Sequence, residues 1–194
     1  MTELLLVRHG ETDWNRERRF QGHADQPLNE TGREQARSLA AELAGEEIDI
    51  VYTSDLARAR ETAAIIAAHL GDLDVVALRE LREMDVGEWQ GLSWPEIEEH
   101  YPEGARKWHE HGHGWESGET YDELGERIIA ALSRIAADHP AERVLIVGHG
   151  GSVRAVRAYI EGLSVVESRR HSPAIGNCEV FRVVTEDGAF RRID

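Results

Sequence analysis

Residues 4–15 read LLLVRHGETDWN, in which four aliphatic side chains run straight into an arginine, a histidine and a glycine. A short unbroken apolar run closed by a glycine-containing loop reads as a strand buried on both faces. Such a strand holds its last residues rigidly, and here those residues are Arg8 and His9. After a polar loop comes TGREQARSLAAELAG, expected to be helical from Thr31, with Thr31 and Glu34 at capping-box spacing and Gly45 as its stop.

The same alternation repeats along the chain. IDIVYTS (48–54) is a second strand, and DLARARETAAIIAAHLG a helix begun by Asp55 and ended near Gly71. LDVVAL (73–78) is a third strand, and GETYDELGERIIAALSRIAADHP an amphipathic helix with Thr120 and Glu123 as capping pair. RVLIVG (143–148) is a fourth strand, SVRAVRAYIEG its helix, and NCEVFRVVTEDGAFRRI a closing hairpin that turns at Asp187-Gly188. Strand alternating with helix predicts an α/β fold, a three-layer sandwich with a mainly parallel central sheet flanked by helices. A single domain over residues 1–194 is expected, interrupted at about 84–118 by an insertion or lid. That stretch holds four tryptophans and four histidines with little periodicity, apart from short helices near 94–101 and 103–110.

Composition excludes some classes. A chain of 194 residues can bury a substantial core, and no apolar run is long enough to span a membrane. The first strand starts at once, with no signal-like segment, so a cytoplasmic protein without a membrane partner is expected. A single cysteine, Cys178, allows no internal disulfide. A net charge of −15 argues against a nucleic-acid partner but says little about a local site. A homodimer through the sheet edge or the hairpin is compatible with the pattern, and nothing in the sequence supports it.

In open α/β sheets ligands sit outside the carboxyl ends of the strands. Arg8 and His9 follow the first strand, and Arg58 lies in the first helical turn after the second. Glu83 follows the third strand and His149 the fourth. Taken singly, each is an ordinary residue: a structural histidine, a solvated arginine, a surface glutamate. Taken together, they deliver two imidazoles, two guanidinium groups and a carboxylic acid to one edge. Guanidinium forks match phosphate oxygens, and neutral imidazole is a good nucleophile toward phosphorus. Phosphoryl transfer also needs a proton for the leaving alcohol. On this reading Arg8, Arg58 and a protonated His149 stabilise the phosphoryl oxygens, His9 attacks, and Glu83 serves as acid and then base. Gly10 permits close backbone approach, and Gly150 and Gly151 offer N–H groups at a helix start. No metal and no cofactor is required.

LVRHGET (6–12 with its preceding leucine run) resembles the signature of the histidine phosphatase superfamily, which includes the cofactor-dependent phosphoglycerate mutases. The similarity continues through QGHADQPLNETGREQA, TSDLARARETA, LREMDVGEWQG and IVGHGGSVRA, from residue 4 to about 157. It implies a phosphoglycerate mutase-like fold, a phosphohistidine at His9, a phosphoryl group held by Arg8, Arg58 and His149, and proton transfer by Glu83. It further implies that Asn15, Gln21 and Gly22 line the phosphate site, beside Gly150. FQG (20–22) stands where mutases resemble one another in FTG, and residues 84–118 offer only Arg106 and Lys107 as cations. The resemblance therefore favours the phosphatase branch, a metal-independent enzyme taking a small phosphomonoester, with a 2,3-bisphosphoglycerate-dependent phosphoglycerate mutase as the alternative. Trp89, Trp94, Trp108 and Trp115 are candidates either to meet a bulky leaving group or to pack the lid.

WHEHGHGW (108–115) raises a separate reading. His109, His111 and His113 alternate, so an extended segment would present all three to one metal ion. The favoured reading is an exposed loop.

Overall fold

A computed structural model describes residues 1–193. Strand β1 (Thr2–Arg8) lies inside a six-stranded sheet that also holds β2 (Ile50–Ser54), β3 (Val75–Leu78), β4 (Arg143–Gly148), β5 (Val180–Glu186) and β6 (Ala189–Arg192). The order is β3-β2-β4-β1-β5-β6. The first four strands in that order run parallel, and β5 and β6 close the edge antiparallel. The expected mainly parallel sheet is therefore present, and its hairpin turns at Asp187 and Gly188, both with positive φ.

Leu4 to Val7 are each no more than 2 % exposed. Alternate side chains enter opposite cores, which is why the run contains no polar residue. Leu4 and Leu6 pack with α6 (Tyr121–Asp138) and α7 (Gly150–Glu161), whereas Leu5 and Val7 pack with α2 (Glu30–Glu42) and α3 (Ala57–His69). Burial of each such side chain contributes roughly 1.5–3 kcal/mol. The strand leading to Arg8 and His9 is anchored on both faces.

Two helix starts differ from expectation. Helix α2 is capped by Asn29, whose side chain accepts from Gly32 N at 2.9 Å, and Thr31 lies inside the helix. Asn29 also donates to Glu11 Oε1 at 2.9 Å, so the cap is chosen by the loop after β1. A methyl on Gly10 would strike the backbone of Gly32, and one on Gly32 the backbone of Glu11. Helix α3 has Leu56 at its cap position, and its Ala57 N is met by Asp25 Oδ1 at 2.5 Å. Asp55 is drawn away by a bidentate pair with Arg82, at 2.6 and 2.7 Å. The Thr120–Glu123 capping box of α6 is present as expected.

Residues 84–118 carry α4 (Trp94–His100) and α5 (Pro102–His111). Trp89 and Trp115 are buried in the core shared with α6 and α7, and Trp94 and Trp108 pack against it. Their rings meet edge to face or tilted, with Trp89 5.4 Å from Trp115 and 6.1 Å from Trp94. Packing is thus the role of Trp89, Trp94 and Trp108, and Trp115 alone of the four also lines the cavity described below. The histidine tract is not extended. His109 and His111 lie on α5, His109 against Trp94, and His113 meets Trp115 edge to face beyond Gly112, which has a positive φ. Among the described residues no cluster of three or more His, Cys, Asp or Glu side chains could hold a metal ion. RRHSP (169–173) ends a short helix, α8 (Val165–His171). No helix among the described residues is long and apolar enough to cross a membrane.

Candidate active site

The pairing of β1 with β4 continues one residue past the strand, because His9 N donates to Gly148 O at 3.0 Å. His9 O in turn accepts from Asn177 Nδ2 at 2.8 Å. The ring is oriented locally: Nδ1–H donates to Gly10 O at 2.7 Å, which sets the tautomer and leaves the Nε2 lone pair available. His9 is 3 % exposed. Its pKa lies well below the ordinary value, first through burial and then through the Arg58 and Arg8 charges. The ring is neutral at physiological pH, and desolvation does more to keep it so than the arginines.

Arg58 is buried in the first turn of α3. Its Nη1 donates to Ala24 O at 2.7 Å and its Nη2 to Gly22 O at 2.8 Å, while Nε has no protein partner. Burial pushes its pKa down to about 10, which still leaves it charged at pH 7. Arg8 Nη1 donates to Ile175 O at 2.8 Å. A buried and a half-buried guanidinium group side by side favour an anion.

Glu83 follows the 3₁₀ turn Arg79–Leu81 that leaves β3. Its Oε1 accepts from Met84 N at 2.8 Å and its Oε2 from Gly151 N at 3.2 Å. The carboxyl group therefore sits on the N-terminal turn of α7, where the helix dipole favours negative charge. The turn is held from several sides. Arg127 Nη1 donates to Glu80 O at 2.8 Å and Arg82 O at 3.0 Å, and its Nη2 pairs with Glu119 at 2.6 Å. His23 Nε2–H donates to Glu83 O at 2.8 Å.

His149 is fully buried at the cap position of α7, its ring centroid 5.2 Å from that of His9. It lies on the core side, among Leu6, Leu81 and Ile146, and neither ring nitrogen has a protein partner. The expectation of a protonated His149 is corrected here. Burial first, then Arg58, His9 and Arg8, hold its pKa well below the ordinary value, so the ring is neutral.

A cavity of about 270 Å³ is lined by Arg8, His9, Asn15, Gln21, Gly22, Arg58, Glu83 and Gly150, all of the expected site residues except His149. Thr12 joins two of them: its hydroxyl lies 3.1 Å from both Asn15 Oδ1 and Gln21 Oε1, which leaves the amide NH2 groups as donors. Sequence reading missed Thr12, Asn177, Tyr121, Arg154 and Arg19. Thr12 is the threonine of RHGET, and Arg154 stands one helical turn beyond Gly150, so spacing contained a signal for both. Arg19 stands two residues before Gln21, so its neighbours signalled it too, whereas Asn177 and Tyr121 come from remote segments with no such signal.

A neutral, oriented imidazole beside one buried and one half-buried guanidinium group, with a carboxyl group on a neighbouring helix start, defines a class: enzymes that carry phosphoryl groups on histidine. The chain belongs to the histidine phosphatase superfamily, branch 1, whose model matches residues 4–193. It is 44 % identical over 158 residues to phosphoglycerate mutase-like protein 4 of Arabidopsis thaliana, covering 79 % of this chain and 69 % of the relative. It is 42 % identical over 160 residues to the metal-independent phosphoserine phosphatase of the same plant, covering 80 % and 67 %. Among solved structures, Bacillus stearothermophilus YhfR superposes with a TM-score of 0.92 at 32 % identity, over 99 % of this chain and 95 % of that one. The family and fold expected from the motifs are both present, and the phosphatase reading is favoured over the mutase.

Proposed function

We propose that the chain hydrolyses small phosphomonoesters in two steps through His9. The phosphoryl group binds between Arg8 and Arg58, with the amide groups of Asn15 and Gln21 and the backbone at Gly22 and Gly150 on its other oxygens. His9 Nε2 attacks phosphorus in line, the P–O bond to the alcohol breaks, and Glu83 gives its proton to the departing oxygen. Water then attacks the phosphohistidine, the P–N bond breaks, and Glu83 takes the proton back as phosphate is released. His149 contributes a ring N–H toward an equatorial oxygen. The approaching dianion opposes the coulombic part of its pKa depression, so its positive character grows where charge develops.

The observation that carries this reading is the 2.7 Å bond from His9 Nδ1–H to Gly10 O, which presents a neutral nucleophile beside two cations. The arginines supply the charge stabilisation, so the proposal includes no metal. Residues 84–118 are read as the cover over the site within a single unit. The enzyme is placed in the cytoplasm, where its one thiol is inert: burial pushes the Cys178 pKa up to about 12.

Phosphorus NMR on the purified protein tests the proposal, with several phosphomonoesters present, including 3-phosphoglycerate and a trace of its 2,3-bisphosphate. The expected result is inorganic phosphate from one or more esters. Interconversion of 3- and 2-phosphoglycerate without phosphate release would establish the mutase instead.

A further inference from the structure

We propose that Arg154 binds a second, single negative charge on the substrate, so that the preferred esters are phosphomonoesters of short carboxylic acids. The inference rests on the phosphatase reading and adds a substrate class to it.

Four cations line the cavity: Arg8, Arg19, Arg58 and Arg154. Arg19 is committed elsewhere, to Glu17 at 2.9 Å and Glu96 at 2.7 Å. Arg8 and Arg58 match the two charges of a phosphoryl dianion. Glu83 is the one carboxyl group among the lining residues, and its oxygens are taken by Met84 N and Gly151 N rather than by Arg154. Arg154 is then left over. Among the described residues it makes no ion pair, although Arg16, Arg33, Arg37, Arg82, Arg106, Arg127, Arg134, Arg143 and Arg182 all do.

Its position suits a substrate rather than solvent. Arg154 lies on α7 one turn past Gly150, on the face that begins at the phosphate end of the cavity. Tyr121 lines the same cavity, and burial raises its pKa, so its hydroxyl stays a neutral donor. Arg169, the nearest further cation on α8, is stacked on the Trp108 ring at 3.8 Å and is not among the lining residues. One unpaired guanidinium suits a carboxylate. A second phosphoryl dianion would require two, as the first does. The rest of the molecule would lie against the apolar wall of Phe20, Met84, Val86 and Ile175, within a cavity of about 270 Å³. Residues 84–118 contribute Met84, Val86 and Trp115 to the lining and no cation. The charge comes instead from the helix that follows β4.

The test compares 3-phosphoglycerate with glycerol 3-phosphate, which differ by a carboxylate in place of a hydroxymethyl group. p-Nitrophenyl phosphate serves as the control for phosphatase chemistry. For the wild type, kcat/KM on the acid is expected to exceed that on the alcohol by about 10- to 100-fold, the range for one charge-assisted hydrogen-bonded pair. Arg154→Gln should bring that ratio to within about threefold of unity, and Arg154→Lys should retain part of it. Turnover of p-nitrophenyl phosphate without a wild-type preference for the acid overturns the inference and leaves the phosphatase reading intact. So does a preference that survives in Arg154→Gln. No turnover of any of the three esters overturns both. If Arg154→Gln does not fold, the wild-type ratio and its reduction in Arg154→Lys decide the matter.

Discussion

Gly151 offers a way to displace the proton donor without altering it. An ideal Cβ at residue 151 would fall within 3.0 Å of Glu83 Oε1, and would sit 3.2 Å from both Glu83 Cδ and Leu124 Cδ2. Leu124 is fully buried, so the carboxyl group is the part that must give way. Gly151→Ala therefore breaks the 3.2 Å bond from Gly151 N to Glu83 Oε2 and moves the acid from the leaving oxygen. General acid catalysis supplies roughly 10²- to 10⁴-fold, and a group displaced by an ångström or more forfeits most of it. The loss in kcat on alkyl phosphates is thus expected to be about 100-fold or more. On p-nitrophenyl phosphate, whose leaving group needs little protonation, it should be under about tenfold. The backbone of α7 itself accepts alanine here, because Gly151 does not need a positive φ. The assay is kcat across a leaving-group series, with a thermal melt on the same samples. Equal losses on both ester types, or full activity on alkyl phosphates, would refute the placement of Glu83 as acid.

Three further outcomes are expected. His9 and His149 are both held below their unfolded pKa, so the unfolded chain binds protons that the folded chain refuses as pH falls below about 6.5. Stability should then drop by up to roughly 1.4 kcal/mol per pH unit for each histidine, and denaturant melts at pH 7.5 and 5.5 should show a shallower fall in His149→Asn. Arg127→Met removes the donor to the Glu80 and Arg82 carbonyls and the partner of Glu119. It should cost about 2 kcal/mol in stability and reduce alkyl phosphate turnover more than that of p-nitrophenyl phosphate; an unchanged leaving-group dependence would assign Arg127 to the fold alone. Dialysis against EDTA should leave activity unchanged, because Arg8 and Arg58 supply the positive charge, and a loss restored by a divalent cation would contradict this.

Residues that end a strand were legible in the sequence, because a strand fixes where its last side chain goes. His9 and His149 follow central strands directly, and helical periodicity placed Arg58 one turn into α3. Local patterns failed where tertiary partners compete. Thr31 looked like a cap until Asn29, tied to Glu11, took the role, and Asp55 lost its helix to Asp25 once Arg82 engaged it. Protonation was misread at His149 because burial, which no motif displays, outweighs any local sign of charge. Asn177 and Tyr121 reach the site from segments more than a hundred residues beyond His9, brought in by β5 and α6, and no spacing rule connects them. The tryptophans could by sequence either meet a leaving group or pack the lid; the edge-to-face contacts of Trp89 with Trp94 and Trp115 show the packing, and Trp115 lines the cavity as well.

Trapping the intermediate tests the mechanism most directly. The protein is mixed briefly with a turned-over ester, quenched in alkali, and digested, and the phosphopeptide is examined by phosphorus NMR and mass spectrometry. The account requires one phosphate on the peptide containing His9, acid-labile, alkali-stable and bonded to Nε2, since Nδ1 is committed to Gly10 O. A phosphate on Nδ1, on any other residue, or a turnover that persists with no label in His9→Ala would contradict it.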